Sequence, residues 1–390
     1  MNHVKLPQGV RDTLDRECYN LNRIKETLRE KFLLSGYRFV QSAGLEYYDT
    51  YSKIKSPVSQ SKMFKMTDKD GNLIVLRPDM TLAVARIAAT KMSDPVAKLC
   101  YFSDIYDFSA AGNSYREVSQ AGVEVLGSDG AFADAQVIAF AIECLLSAGV
   151  DKFIIDIGHV GFFKGLLEGS GLTFEQSEEV RGYVNAKDSI NTEISLKKYN
   201  ADGRALRAIL ALPALFGGVE VLSQAEKLTE NASALSSLRR LKEVYSFLCA
   251  LGYEKYVSFD LGTVKSLDYY SGIVFTGLAA GVGAPLLSGG RYDNLAAEFG
   301  RDVSAVGFAI GLKRTLAALE QAGNTLEIPE PRVTVLCRTG GEKAGYAAYL
   351  DFIARGISCD LIADGAEAEN LFYARGGEKY VAEAGGIKKI

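Results

Sequence analysis

YREVSQAGVEVLG, residues 115–127, is the stretch on which the fold turns. Its tail alternates as a strand with one face in a core. With AKLCYFSDIYDF (97–108) and the small, polar SAAGNS between them, it predicts an antiparallel strand pair. Glu124 sits between Val123 and Val125, and Gln120, four residues earlier, lies on the same face of an extended chain. A buried carboxylate is costly unless something answers it. The pair therefore asks what it faces.

Working outward, Leu14, Cys18, Leu21, Ile24, Leu28 and Phe32 recur at three- and four-residue steps and predict a helix. Asp12 or Thr13 is placed to cap its start and Gly36 to end it. YRFVQS reads as a strand, and MFKMTDKDGNLIVLRP as a hairpin turning at Asp70-Gly71. A helix follows from about Asp79 through TLAVARIAATKM, then the strand pair, the helix DAQVIAFAIECLLSAG and the strand KFIIDI. Residues from about 160 to 250 are helical in pattern and predict an inserted helical segment. Strand signals return in YVSFDLG, DYYSGIVFTG and SAVGFAIG, the last leading into the helix LKRTLAALEQAG. After the Pro-containing linker NTLEIPEPR, VTVLCRTGG opens a short strand-helix-strand tail. The order predicts an α+β fold, an antiparallel sheet flanked by helices, rather than a doubly wound parallel sheet. Its domains are residues 1–325 and a short α/β segment, 331–390.

At 390 residues and 48% hydrophobic the chain can bury a large core. A net charge of -4 offers no basic footprint for nucleic acid. No apolar run reaches membrane-spanning length, and the expectation is a soluble, cytoplasmic protein. The six cysteines are scattered, the closest two, Cys337 and Cys359, being 22 residues apart, so no zinc or redox motif is encoded locally. Only His3 and His159 are present, which leaves little room for histidine-centred catalysis or a metal site. No cofactor is expected.

Four segments place polar groups in apolar surroundings: LRPDMT (76–81), QAGVEVLG (120–127), TVKSLDYYSGIVF (263–275) and GGRYDNLAAEFG (289–300). Each alone has a plain structural reading: a helix entry, a wet-faced strand, a turn at GGRYD. Together and in this order they resemble the class II aminoacyl-tRNA synthetase fold, specifically the histidyl-tRNA synthetase family, over about residues 5–320. AVGFAIGLKR, ending in Arg314, resembles that fold's third motif. The resemblance implies that Glu124 takes the imidazole of a bound histidine and Gln120 its amino or carboxylate end. It places Asp79 and Thr81 at the α-amino group, Tyr270 and Tyr292 as walls of the ring, and Tyr269 and Lys265 in the same histidine-binding set. Such a ligand needs acceptors, a donor and an aromatic wall in a small pocket.

The departures from the family are as informative. Where the synthetases carry the arginine and glutamate of their second motif, this chain has Tyr106 and Phe108; a second triphosphate-contacting arginine aligns with Ser114, and a catalytic one with Lys265. A phenol and a hydroxyl supply neither the fork nor the charge that phosphate oxygens require. An amino-acid pocket kept beside a stripped nucleotide pocket resembles the synthetase paralogues that serve as the regulatory subunit of ATP phosphoribosyltransferase, in histidine biosynthesis. That likeness implies a non-catalytic protein. Its partner would be the short catalytic subunit, in a hetero-oligomer. It would allow or raise that subunit's activity and transmit feedback inhibition by histidine as effector. A homodimer core is implied by the class II fold, although Ala43 replaces the proline of the first motif. The alternatives are an aberrant histidyl-tRNA synthetase or another synthetase-like binding module.

Overall fold

The computed structural model describes residues 5–52, 58–108, 116–168, 170–264 and 269–390. The chain divides into two compact units, Met1–Thr325 and Leu326–Ile390. The first opens with helix α1 (Asp15–Leu34), which buries the predicted stripe: Leu28 and Phe32 are fully covered, each worth about 1.5–3 kcal/mol. Its start is not capped by Asp12 or Thr13. The N-cap is Leu14 with no side-chain bond, and the acidic residues Asp15 and Glu17 of the first turn face the helix dipole instead. Gly36 follows the helix at φ 80°, where glycine carries no steric cost.

YRFVQS shortens to β1 (Arg38–Phe39), an edge strand parallel to β5 (Ala97–Tyr106). Short edges offer little template for stray pairing. Next come β2 (Leu45–Tyr47), α2 (Tyr48–Ser52), β3 (Lys65–Thr67) and β4 (Leu73–Leu76). β3 and β4 form the predicted hairpin, whose turn is held by Asp68 accepting from Asp70 N and Asn72 N. Helix α3 (Thr81–Lys91) leads to β5 and β6 (Glu117–Leu126), antiparallel as predicted and in register from Tyr106 opposite Glu117 to Ala97 opposite Leu126.

Helix α4 (Ala131–Ser147) and strand β7 (Ile154–His159) precede the insertion. Its helices are α5 (Val160–Leu167), α6 (Phe174–Asn185), α7 (Ser189–Lys198), α8 (Gly203–Ala211), α9 (Glu220–Glu226) and α10 (Ala232–Ala250). The insertion also contributes β8 (Phe216–Gly217), which pairs with β9 (Val257–Asp260), so it is not helical throughout. β10 (Ile273–Leu278), β11 (Leu287–Arg291) and β12 (Ala305–Gly311) complete a nine-stranded sheet, closed off by α11 (Leu312–Ala322). GGRYD is thus the end of a sheet strand rather than a turn: Gly289 and Gly290 pair on both sides, with β10 and β12. The sheet order, β1-β5-β6-β12-β11-β10-β7-β9-β8, sets β6 beside β12 in the middle. One core lies among α1, α4, α10 and the sheet; the second gathers Leu82, Val84, Tyr101, Tyr269 and Tyr292 around α3.

The second unit alternates β13 (Val333–Cys337), α12 (Glu342–Ala354), β14 (Cys359–Ala363), α13 (Ala368–Ala374), β15 (Glu378–Glu383) and β16 (Gly386–Lys389). Its four-stranded sheet runs β14-β13-β15-β16, with β16 antiparallel. No helix among the described residues is long and apolar enough to cross a membrane.

Candidate functional site

Strand alternation puts Gln120, Gly122 and Glu124 on one face of β6. Gly122 has no side chain, and Tyr101, directly opposite on β5, lays its ring across the gap; a Cβ there would meet the ring at 2.3 Å. Across the other edge, Gly307 of β12 pairs with Glu124, and a Cβ on Gly307 would fall 1.8 Å from the Glu124 Oε2. The strand therefore carries a carboxylate only because its neighbour has nothing to place there.

Glu124 is 1% exposed. Thr81 Oγ1, at the first turn of α3, donates to its Oε1 at 3.1 Å, and the Tyr292 hydroxyl donates to Oε2. The buried Tyr101 hydroxyl lies beside it without a hydrogen bond of ordinary geometry. Burial raises the Glu124 carboxyl to about 8, and the Asp79 charge adds to the rise while the Tyr292 and Thr81 hydroxyls oppose it. Asp79 is raised to about 6 by burial, against the pull of the Leu82 and Thr81 peptide N–H groups. Its Oδ1 accepts from Leu82 N at 2.8 Å, so the same carboxylate caps α3.

The aromatic wall is a relay of three rings. Tyr270 stands edge-on to Tyr269 at 4.6 Å between centroids, and Tyr269 stacks on Tyr292 at 5.9 Å. Gly290 makes room for Tyr270, since a Cβ there would approach its ring to 2.6 Å. Asp79, Thr81, Gln120, Tyr269, Tyr270 and Tyr292 line one cavity of about 180 Å³, with Tyr101 and Gly307 beside them and Glu124 bonded to two of its wall residues. Lys265 and Ser114 lie outside the described residues. Seven of the eight sequence-derived site residues thus converge on one place. Tyr101 is the residue that sequence reasoning passed over; the signal was Gly122, a gap on the Glu124 face that an aromatic must fill.

Among the described residues lining this cavity there is no lysine or arginine. Gln120, 8% exposed, makes no side-chain hydrogen bond among the described residues. Two buried carboxyls with raised pKa values, an uncommitted amide and a ring wall suit a small ligand bearing cationic nitrogen and a flat ring. A larger cavity of about 1190 Å³ adjoins, sharing Asp79 and Gln120, with Tyr106, Lys62, Lys313 and Arg314 in its wall. There Tyr106 donates to Glu117 at 3.4 Å, and Arg314 donates to Pro285 O at 3.0 Å. Phe108 does not reach this wall: it is half exposed, edge-on to Phe64 at 5.1 Å. The described residues hold no group of three or more His, Cys, Asp or Glu side chains arranged for a metal ion.

Residues 9–315 match the family model described as histidyl-tRNA synthetase. The chain is 37% identical over 371 residues to the ATP phosphoribosyltransferase regulatory subunit of Acetivibrio thermocellus, covering 94% of this chain and 88% of that protein. It is 40% identical over 320 residues to the protein of the same description in Clostridium acetobutylicum, covering 81% and 79%. Among solved structures, one described as an ATP phosphoribosyltransferase regulatory subunit/histidyl-tRNA synthetase from Bacillus halodurans superposes with a TM-score of 0.86 at 28% identity, covering 97% of this chain and 98% of that one.

Proposed function

The chain belongs to the family of ATP phosphoribosyltransferase regulatory subunits, on the histidyl-tRNA synthetase fold, and from that premise we propose that its buried cavity is the histidine sensor of a non-catalytic regulator. Its partner is the short catalytic subunit of the transferase, whose activity it allows and whose inhibition by histidine it transmits. In the cavity Glu124 takes the imidazole, held in position by Thr81 and Tyr292. Asp79 and Thr81 receive the α-amino group, Gln120 the amino or carboxylate end, and Tyr269, Tyr270 and Tyr292 wall the ring. Lys265 belongs to the same set by its place in the sequence. Selection follows from burial: an apolar amino acid would give Glu124 and Asp79 nothing beyond the hydrogen bonds they already accept, whereas an imidazole and an ammonium add donors inside the covered site.

The observation that carries the reading is this pair of buried carboxyls in a cavity whose described lining has no cation. The same chain would not form an adenylate. Tyr106 and Phe108 stand where the synthetases place charged groups, and a hydrogen-bonded phenol does not grip a phosphate. We place the protein in the cytoplasm, as a homodimer core within the hetero-oligomer. The test is the rate of phosphoribosyl transfer to ATP by the catalytic subunit, measured with and without this protein across a histidine titration. Activity should change on addition and become histidine-sensitive. Superimposed kinetics would reject the regulator. Histidine-dependent pyrophosphate exchange into ATP by this protein alone would favour a synthetase.

A further inference from the structure

Strand β9 ends at Asp260, and the chain then runs irregularly through Leu261, Gly262, Thr263 and Val264, all but Thr263 buried. Buried backbone without a ladder has to find its partners elsewhere. Here most of them come from the insertion. Leu261 N donates at 3.0 Å to the carbonyl of Leu215, which lies between α8 and β8. On α6, Arg181 Nη1 donates to Val264 O at 3.1 Å, its Nε being fixed on Glu178 at 2.9 Å one turn earlier. Lys187, in the turn after α6, donates to Asp260 Oδ2 at 2.9 Å, while Asp260 Oδ1 accepts from Gly262 N and Thr263 N. The fit is close, since a Cβ on Gly262 would come within 2.9 Å of Leu212 O. Leu261 and Val264 share one apolar cluster with Val180, Val184, Leu212 and Leu215 of the insertion.

Lys187 is an unusual residue for its place. Its φ is 55°, and Lys187 N and Asp188 N bond back to Val184 O and Tyr183 O to end α6. Glycine ordinarily takes such a position, because a Cβ is strained there. The lysine has a reach that glycine lacks. Its ammonium lies over the Phe216 ring at 5.0 Å and on Asp260, the residue paired with Phe216 across β8 and β9.

The segment held in this way leads into the ring wall. Tyr269 stands five residues beyond Val264, a stretch that reaches at most about 18 Å, so the place of Val264 bounds where Tyr269 can stand. On the other side of the tyrosine pair, Gly272 O accepts at 3.0 Å from Val160 N, the first residue of α5. Tyr269 and Tyr270 are therefore slung between two carbonyls, Val264 O and Gly272 O, each held by the insertion.

We propose that the inserted helices set the aromatic wall of the Glu124 cavity, with Arg181 and Lys187 as positioning residues acting through Asp260–Val264. Neither side chain lines that cavity. A wall free to shift spends time in arrangements that do not fit a bound ring, and the apparent affinity falls by the fraction that does fit. The setting of the wall concerns this chain alone; its effect on histidine rests on the reading above.

The test is calorimetric titration of histidine into the full-length protein, with melting temperatures and hydrogen–deuterium exchange measured alongside. Arg181→Ala should weaken histidine about two- to ten-fold, the net worth of one hydrogen bond. Arg204→Ala, which removes the exposed pair with Glu230 elsewhere in the insertion, should leave histidine affinity unchanged. Lys187→Gly and Lys187→Ala both lose the bond to Asp260 and should weaken histidine equally. The glycine variant should nevertheless melt higher, because its left-handed backbone is unstrained. Histidine affinity that is unmoved in Arg181→Ala, or that follows melting temperature across the Lys187 pair, overturns the positioning role. In ligand-free protein, peptides spanning Tyr269–Gly272 should exchange faster in Arg181→Ala than in the parent or in Arg204→Ala. Exchange that quickens only as far as Val264 overturns it as well. A parent protein that binds no histidine counts against the sensor reading, and the exchange comparison still judges the positioning.

Discussion

Glu124 holds its proton to about pH 8 in the folded chain, against an ordinary value of 4.5. Between those values the folded protein keeps a proton that the unfolded chain has released, so this group's contribution to stability falls as pH rises across that window. Glu124→Gln keeps the volume and does not titrate. In ligand-free protein its melting temperature should therefore gain on the parent's as pH goes from about 5 to about 8; a difference that does not vary with pH would mean the carboxyl is not strained by burial. Histidine affinity should move the other way. An amide cannot form the charge-assisted bond that Glu124 makes once its proton passes to a bound imidazole, and that loss costs about 1.5–3 kcal/mol, or about ten- to a hundred-fold in affinity by calorimetry. At this scale the sequence was most readable. Period-2 alternation alone put Gln120 and Glu124 on one face and raised the problem of a buried charge. Tyr101 was not readable, because a tyrosine among apolar strand residues is indistinguishable from core until Gly122 is seen opposite it.

The elements carry the site by what they leave out as well as by what they present. Gly307→Ala asks β12 to place a methyl 1.8 Å from the Glu124 carboxylate, with Val123 O at 2.4 Å behind it. Both atoms belong to β6, one of them backbone, so the strand pair must shift to admit the methyl, and a cost of about 1–3 kcal/mol and a loss of histidine binding are expected together in melting and titration experiments. Asp79 separates two roles on one helix terminus. Asp79→Asn keeps an oxygen for Leu82 N and should hold the melting temperature while weakening histidine. Asp79→Ala loses the cap of α3 as well, worth about 0.5–2 kcal/mol. Equal melting temperatures for the two variants would mean that the carboxylate does not cap. Helix positions were legible from 3.6-residue periodicity, and their ends less so: α1 starts at Asp15 after Leu14, which has no side-chain group to cap it, rather than after Asp12 or Thr13. β11 was illegible for a definite reason. GGRYD carries turn-forming glycines, yet Gly289 and Gly290 are there to pass Phe275 and Tyr270 in the middle of a sheet.

At the scale of the molecule, the nine-stranded sheet joins residues that are distant in sequence, and only this closure makes a cavity from Asp79, Glu124, Tyr270 and Tyr292. The α+β class was readable from the order of elements, because antiparallel neighbours with interspersed helices do not form a doubly wound sheet. The strand order was not, since nothing local specifies that β12 lies between β6 and β11. Every residue lining this cavity belongs to the first unit. If the chain is a sensor for a separate catalytic subunit, that cavity must report its occupancy across a protein interface, and binding free energies constrain how. Whatever factor histidine imposes on the affinity between the two proteins, the catalytic subunit must impose on the affinity for histidine. Histidine titrated into this protein alone and into the assembled complex should give dissociation constants that differ by about 5–150-fold, the usual span of such coupling. The same ratio should appear when subunit affinity is measured with and without histidine. In Glu124→Gln, both histidine constants should rise while the subunit affinity without histidine stays put, because the carboxylate acts inside the cavity. Identical histidine constants for the free and assembled protein would place the inhibitory effector somewhere other than this cavity.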